Sequence, residues 1–97
     1  MALIVNWSEE ARVQFELIID FLYYRWTEKE AKDFILKTEA VINVILNQPY
    51  LYPASNHNQI RKAVITKQTS VFYLMRNKEI YLITFWDNRQ NPEQNPF

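Results

Sequence analysis

The chain has 97 residues, of which 48% are hydrophobic and 15% aromatic, so it suits one small globular domain and is too short for two. Eleven lysines and arginines balance eleven acidic residues, so no overall positive field attracts nucleic acid. Without cysteine there are no disulfides or thiolate chemistry, and one histidine cannot form a transition-metal cluster. Without glycine the phosphate-binding loops of nucleotide-cofactor enzymes are excluded, and we expect neither cofactor nor metal.

The first third of the chain predicts a short strand followed by a helix. The apolar run Ala2–Val5 is typical of a strand, and Ser8 is a suitable cap for a helix that continues to about Trp26. The residues that recur with the spacing of one helical face are Ala11, Phe15, Ile18, Ile19 and Leu22.

A second helix is predicted from the capping box formed by Thr27 and Glu30, and Pro49 prevents its continuation. The short connection predicts an antiparallel helical hairpin. The apolar face of this helix consists of Ala31, Phe34, Ile35, Thr38, Val41, Ile42, Ile45 and Leu46.

The C-terminal half predicts a three-stranded antiparallel meander. Residues 60–66, 70–76 and 79–86 are β-branched and aromatic runs separated by short polar turns. With the N-terminal strand in the same sheet, the predicted fold class is α+β. The chain is predicted to form one domain over residues 1–88, followed by a polar tail over 89–97. The last two strands are apolar on both alternating faces, so the face that the hairpin leaves uncovered is expected to accept a partner.

Neither an export signal nor an apolar segment of membrane-spanning length is visible, so we expect a soluble, cytoplasmic protein without membrane contact. Charge is unevenly distributed, because residues 9–39 hold most of the acids while residues 61–76 hold none. The basic residues of the second segment are Arg61, Lys62, Lys67 and Arg76.

Several short segments, in this order and spacing, resemble the RelE/ParE superfamily of bacterial toxins. The resemblance spans nearly the whole chain and rests on Trp7–Ala11, Ile45–Pro49, Arg61–Ile65, Val71–Tyr73 and Ile80–Asn88 with Arg89.

This resemblance implies the toxin of a type II toxin–antitoxin system, of the kind linked to growth inhibition and plasmid stabilisation. The implied partner is a cognate antitoxin protein in a toxin–antitoxin hetero-oligomer. Two activities are known on this fold: inhibition of DNA gyrase without nuclease chemistry, and ribosome-dependent cleavage of messenger RNA by a metal-free endoribonuclease. Fold alone does not choose between them.

Residue by residue, the resemblance implies that Arg61 and Arg89 take two basic positions of the nuclease pocket, and Tyr73 offers a phenol. Ala63 and Ser70, however, stand where the nuclease branch has a lysine and an arginine. Losing such groups costs orders of magnitude in rate, so the sequence favours a non-enzymatic, gyrase-inhibiting toxin. The nuclease and a degenerate, non-toxic antitoxin-binding module remain as alternatives.

The candidate binding residues are Arg61, Lys62, Lys67, Arg76 and Arg89, and the candidate catalytic residues of a nuclease are Arg61, Tyr73 and Arg89. Each also has a structural interpretation. Arg61 suits a solvated sheet edge, Tyr73 suits the core, and Arg89 can pair with Asp87.

Overall fold

Six elements follow one another in the predicted order, and the α+β fold class is confirmed. The computed structural model describes residues 3–55 and 59–89. The predicted polar tail lies outside the described residues, apart from Arg89. The elements are β1 (Ile4–Trp7), α1 (Glu9–Arg25), α2 (Glu28–Asn47), β2 (Arg61–Val64), β3 (Thr69–Arg76) and β4 (Glu79–Asp87).

Ser8 caps α1 and also ties that helix to the sheet. Its Oγ accepts a hydrogen bond from the backbone N–H of Ala11 at 2.9 Å and donates one to the carbonyl of Ile83 at 2.6 Å. The predicted cap is therefore confirmed, and its second bond links the start of α1 to β4.

The second helix begins and ends where the sequence predicts. The Thr27 hydroxyl accepts from the backbone N–H of Glu30 at 3.1 Å, and α2 ends at Asn47, two residues before Pro49. The predicted apolar face is turned inward, because Ala31, Phe34 and Ile45 are buried. Thr38 is buried with them and donates its hydroxyl hydrogen to the Phe34 carbonyl.

The four strands form one mixed sheet in the order β1-β4-β3-β2. The meander β2-β3-β4 is antiparallel, as predicted, and β1 joins its edge in parallel with β4. The strand boundaries differ from the prediction by one or two residues, most of all in β1 and β2. β1 continues through Trp7, and β2 stops at Val64 because Ile65 and Thr66 already belong to a turn that hydrogen-bonds to Thr69.

The core lies between the helical hairpin and one face of the sheet. Ring centroids 5.1–5.8 Å apart connect an aromatic cluster of Trp7, Phe15, Phe34 and Phe85, which joins β1, both helices and β4. The buried aliphatic residues around it include Ile45, Ala63, Val71, Ile80 and Leu82. Over residues 3–55 and 59–89, no helix is long and apolar enough to cross a membrane.

Candidate functional site

A cleft of about 530 Å³ lies between the helical hairpin and the end of the sheet at which β4 ends. Its walls come from α1, the first half of α2, the β2–β3 turn and the end of β4. The apolar residues that line it are Leu17, Ile18, Phe21, Leu22, Phe34, Phe85 and Trp86. The charged residues that line it are Glu30, Asp33, Lys37, Asp87 and Arg89.

The α1 wall of this cleft is apolar and exposed because α1 carries more apolar residues than the core can cover. At 100° per residue its apolar side chains span roughly 240° of the helix circumference, against about 100° for a typical surface helix. Ile18 and Leu22 are half-buried beside the core, whereas Leu17 and Phe21 are 62% and 53% exposed. An exposed apolar wall of this kind marks an interaction surface.

Gln14 lines the cleft beside the second half of β4, which has no neighbouring strand on the β1 side. β1 pairs only with Glu79–Leu82, so the rest of β4 has a neighbouring strand on one side only. Gln14 Oε1 accepts from the backbone N–H of Phe85 at 2.7 Å and from the Thr84 hydroxyl at 2.9 Å. The glutamine side chain thus provides the acceptor that a further strand would have supplied.

Arg89 lies on the rim of the cleft at the end of β4. Its guanidinium donates to both carboxylate oxygens of Asp87, with Nε–Oδ1 at 3.0 Å and Nη2–Oδ2 at 2.8 Å. This hydrogen-bonded ion pair raises the pKa of Arg89 and lowers the pKa of Asp87. The local pairing anticipated from sequence is present, and the arginine side chain remains 69% exposed.

Arg61 lies at the edge of the sheet, and its guanidinium is engaged by the loop that follows α2. Nη1 donates to the carbonyls of Tyr50 and Tyr52, and the guanidinium carbon is 5.0 Å from the centroid of the Tyr50 ring. Hydrogen bonds from a charged donor to carbonyls are stronger than neutral ones. In this arrangement Arg61 holds the loop against the sheet.

Tyr73 is the cross-strand neighbour of Arg61 and holds the same loop from inside the core. The side chain is fully buried, and its hydroxyl donates to the Pro49 carbonyl at 2.7 Å. Burial raises the pKa of Tyr73 to about 12, and the nearby charge of Arg61 lowers it only in part. A phenol in this environment suits a structural hydrogen bond better than proton transfer near neutral pH.

Replacing Tyr73 with phenylalanine is expected to lower the free energy of unfolding by about 1–2 kcal/mol at neutral pH, because the Pro49 carbonyl loses its donor. The folded-state pKa of about 12 lies above the ordinary value of 10.0, so the protonated phenol stabilises the fold fully below pH 10. That contribution is lost as the pH rises through 12.

Urea unfolding of both proteins from pH 7 to 12 measures this difference. Stability of the unmodified chain is expected to fall more steeply above pH 10 than that of Tyr73→Phe. Parallel pH profiles would contradict the assignment of this hydrogen bond.

The remaining basic candidates lie in three separate places. Lys62 packs on the sheet face away from the helices, with Nζ 5.8 Å from the Phe72 ring centroid. Lys67 lies in the β2–β3 turn, where its carbonyl accepts from the Asn88 side chain, next to Arg89. Arg76 is exposed at the end of β3, where that strand turns into β4.

The structure therefore brings Lys67 and Arg89 to one end of the sheet and places Arg61 elsewhere. Arg61 aligns with Tyr73, and Asp87 aligns with Thr69, four residues away along β3. At about 3.3 Å per residue, this offset is about 13 Å along the strands. In the described residues, no group of three or more histidine, cysteine or acidic side chains is placed to hold a metal ion.

The cleft and its exposed α1 wall were not predicted from the sequence. A signal was present, because Val13, Leu17, Phe21 and Tyr24 follow one another at helical spacing outside the predicted core face. They form a second apolar stripe beside the first.

This architecture has counterparts among solved structures. A chain of the chromosomal ParDE toxin–antitoxin system from P. aeruginosa superimposes with a TM-score of 0.73 and 12% identity, over 88% of this chain and 95% of that one. A copper-bound mutant toxin from Helicobacter pylori superimposes with a TM-score of 0.61 and 16% identity, over 89% of this chain and 94% of that one. The chain thus shares its fold with the Helicobacter pylori toxin and with a chain of the ParDE toxin–antitoxin system.

At 12% and 16% identity, these two likenesses show a shared fold. No protein-family model and no curated protein sequence matches the chain.

Proposed function

We propose that this chain is the toxin of a type II toxin–antitoxin system and that its cleft is the docking site of a cognate antitoxin. The observation that carries the proposal is the exposed apolar wall of Leu17 and Phe21 on a fold shared with toxin-system proteins. A free toxin that is normally complexed is expected to present such a surface.

The chemistry of the cleft suits an amphipathic helix of the antitoxin. Apolar side chains at helical spacing would pack on Leu17 and Phe21, in the mode by which helices bind grooves. The cleft is lined by acidic Glu30 on one side and basic Arg89 on another, so polar residues of both charges would flank the apolar face of the ligand.

Docking in the cleft would also neutralise the toxin directly. Arg89 lies on the cleft rim and is 69% exposed, and it is one of the basic residues that the family resemblance assigns to the functional site. An antitoxin seated on the apolar wall would cover its guanidinium. Neutralisation and docking would then use one surface.

For the target, the arrangement of basic residues favours gyrase inhibition over messenger RNA cleavage. Metal-free phosphoryl chemistry requires several cationic groups around one phosphate. Here the Arg61 guanidinium hydrogen-bonds to backbone carbonyls, and Arg61 lies about 13 Å along the strands from Asp87. The Tyr73 phenol is buried. Neither Arg61 nor Tyr73 therefore forms a common phosphate-binding pocket with Arg89. A protein that acts on gyrase would work in the cytoplasm.

Induced expression in a bacterium tests this proposal, with growth, transcript integrity and DNA-damage signalling followed in parallel. Growth arrest with intact transcripts and a damage response is expected, and the protein encoded beside the toxin gene should relieve it. Rapid transcript cleavage would instead identify a nuclease. An absence of any growth effect, with partner binding retained, would identify a non-toxic binding module.

A further inference from the structure

The outward surface of α1 carries a continuous apolar stripe that no part of the described chain covers. Its members, Val13, Leu17, Phe21 and Tyr24, are 38%, 62%, 53% and 77% exposed. Their spacing of four, four and three residues places them along one side of the helix. We call these four residues the outer stripe.

We propose that two copies of this chain associate through their outer stripes, with the two α1 helices antiparallel and Leu17 on the two-fold axis. In that arrangement Val13 lies opposite Phe21 of the partner subunit, and Leu17 lies opposite its own counterpart. The stripe is therefore self-complementary in size, as a two-fold interface requires.

The charges along α1 favour the same antiparallel arrangement. Glu9 and Glu10 lie in its first turn and Arg25 in its last, so the helix has an acidic start and a basic end. Pairing about Leu17 places the acidic start of each helix beside the basic end of the other, and Glu10 opposite Tyr24 of the partner subunit, whose hydroxyl can donate to that carboxylate. Antiparallel helix dipoles add to the attraction.

The size of the outer stripe sets the strength of the association. Complete burial of its exposed side-chain surface would remove roughly 400–500 Å² per copy from water, about half of the ~800 Å² per partner in a standard stable interface. The dimer is therefore expected to be weak, with dissociation in the micromolar range or above. It would form when toxin accumulates without its partner.

This association also bears on the cleft. Leu17 and Phe21 belong to the outer stripe and also line the cleft wall, so a dimer would hide part of the wall. That consequence rests on the proposed function, because it makes self-association and antitoxin docking mutually exclusive. The dimer itself does not depend on toxicity or on an antitoxin.

Sedimentation analysis of the purified chain between about 5 and 500 µM tests the proposal, with Leu17→Arg and Leu36→Arg as matched variants. Both leucines are exposed helix residues, each 62% exposed, and Leu36 lies on α2 outside the outer stripe. The unmodified chain and Leu36→Arg are expected to shift from monomer toward dimer with concentration. Leu17→Arg is expected to stay monomeric, with unchanged circular dichroism.

Cysteine cross-linking locates the contact, since the chain contains no cysteine of its own. Packed helices with axes 8–10 Å apart bring facing Cα atoms to about 3.5–5.5 Å, which overlaps the range that a disulfide spans. Oxidised Leu17→Cys should form a covalent dimer in high yield and Leu36→Cys should not. Monomer at every concentration, or equal cross-linking of both variants, would overturn the proposal.

Discussion

Replacing Arg89 with alanine is expected to abolish growth arrest while leaving the fold intact. The family resemblance assigns a functional role to this position, and its side chain is exposed on the cleft rim. The ion pair that it forms with Asp87 is a surface pair, and such pairs contribute roughly 0–1 kcal/mol to the free energy of unfolding. Loss of toxicity should therefore not come from unfolding.

Arg12→Ala is the matched control for this variant. Arg12 is also an exposed, ion-paired arginine, bound to Glu9 and Glu16, and lies on α1 outside the cleft lining. Thermal unfolding and growth curves should be recorded for both variants. Equal toxicity of Arg89→Ala and the unmodified chain would remove Arg89 from the functional site.

Replacing Phe21 with alanine is expected to weaken antitoxin binding by about 30-fold or more without loss of toxicity. Phe21 is 53% exposed on the cleft wall, and a buried aromatic anchor at an interface typically contributes 2 kcal/mol or more. Because the ring is half exposed in the free chain, its loss should affect the fold little. Calorimetric titration with the antitoxin that rescues growth measures the change.

Leu36→Ala serves as the control, since its exposed side chain lies outside the cleft. The titration should be made at concentrations where the chain is monomeric, so that loss of self-association through Phe21 does not affect the measured affinity. Unchanged affinity of Phe21→Ala would exclude this wall as the antitoxin site.

Local sequence signals predicted the elements because each depends on neighbours in the chain. Ser8 and Thr27 are helix caps whose backbone N–H donors lie three residues further along the chain, and Pro49 cannot continue a helix whatever surrounds it. Strand boundaries were less exact. β2 ends at Val64 because Ile65 and Thr66 hydrogen-bond to Thr69 and turn the chain, although their β-branched side chains are typical of a strand.

The candidate site was harder to predict than the fold. Arg61 and Tyr73 have the residue types of a phosphate site, yet both hydrogen-bond to the carbonyls of residues 49–52, and no local pattern indicates this. The exposed wall of α1 was visible as apolar spacing. Periodicity alone cannot distinguish a second apolar stripe facing solvent from one facing the core.

The sequence by itself determined the order of the elements, the two caps, the hairpin and the α+β class, because short-range hydrogen bonding and hydrophobic periodicity are written along the chain. Only the tertiary structure decided that β1 pairs in parallel with β4, and that the two helices and the end of the sheet together form a cleft. It also separated Arg61, on the edge strand β2, from Arg89, which lies just beyond the end of β4. Strand register and helix docking set these distances, and both depend on contacts between residues far apart in the chain.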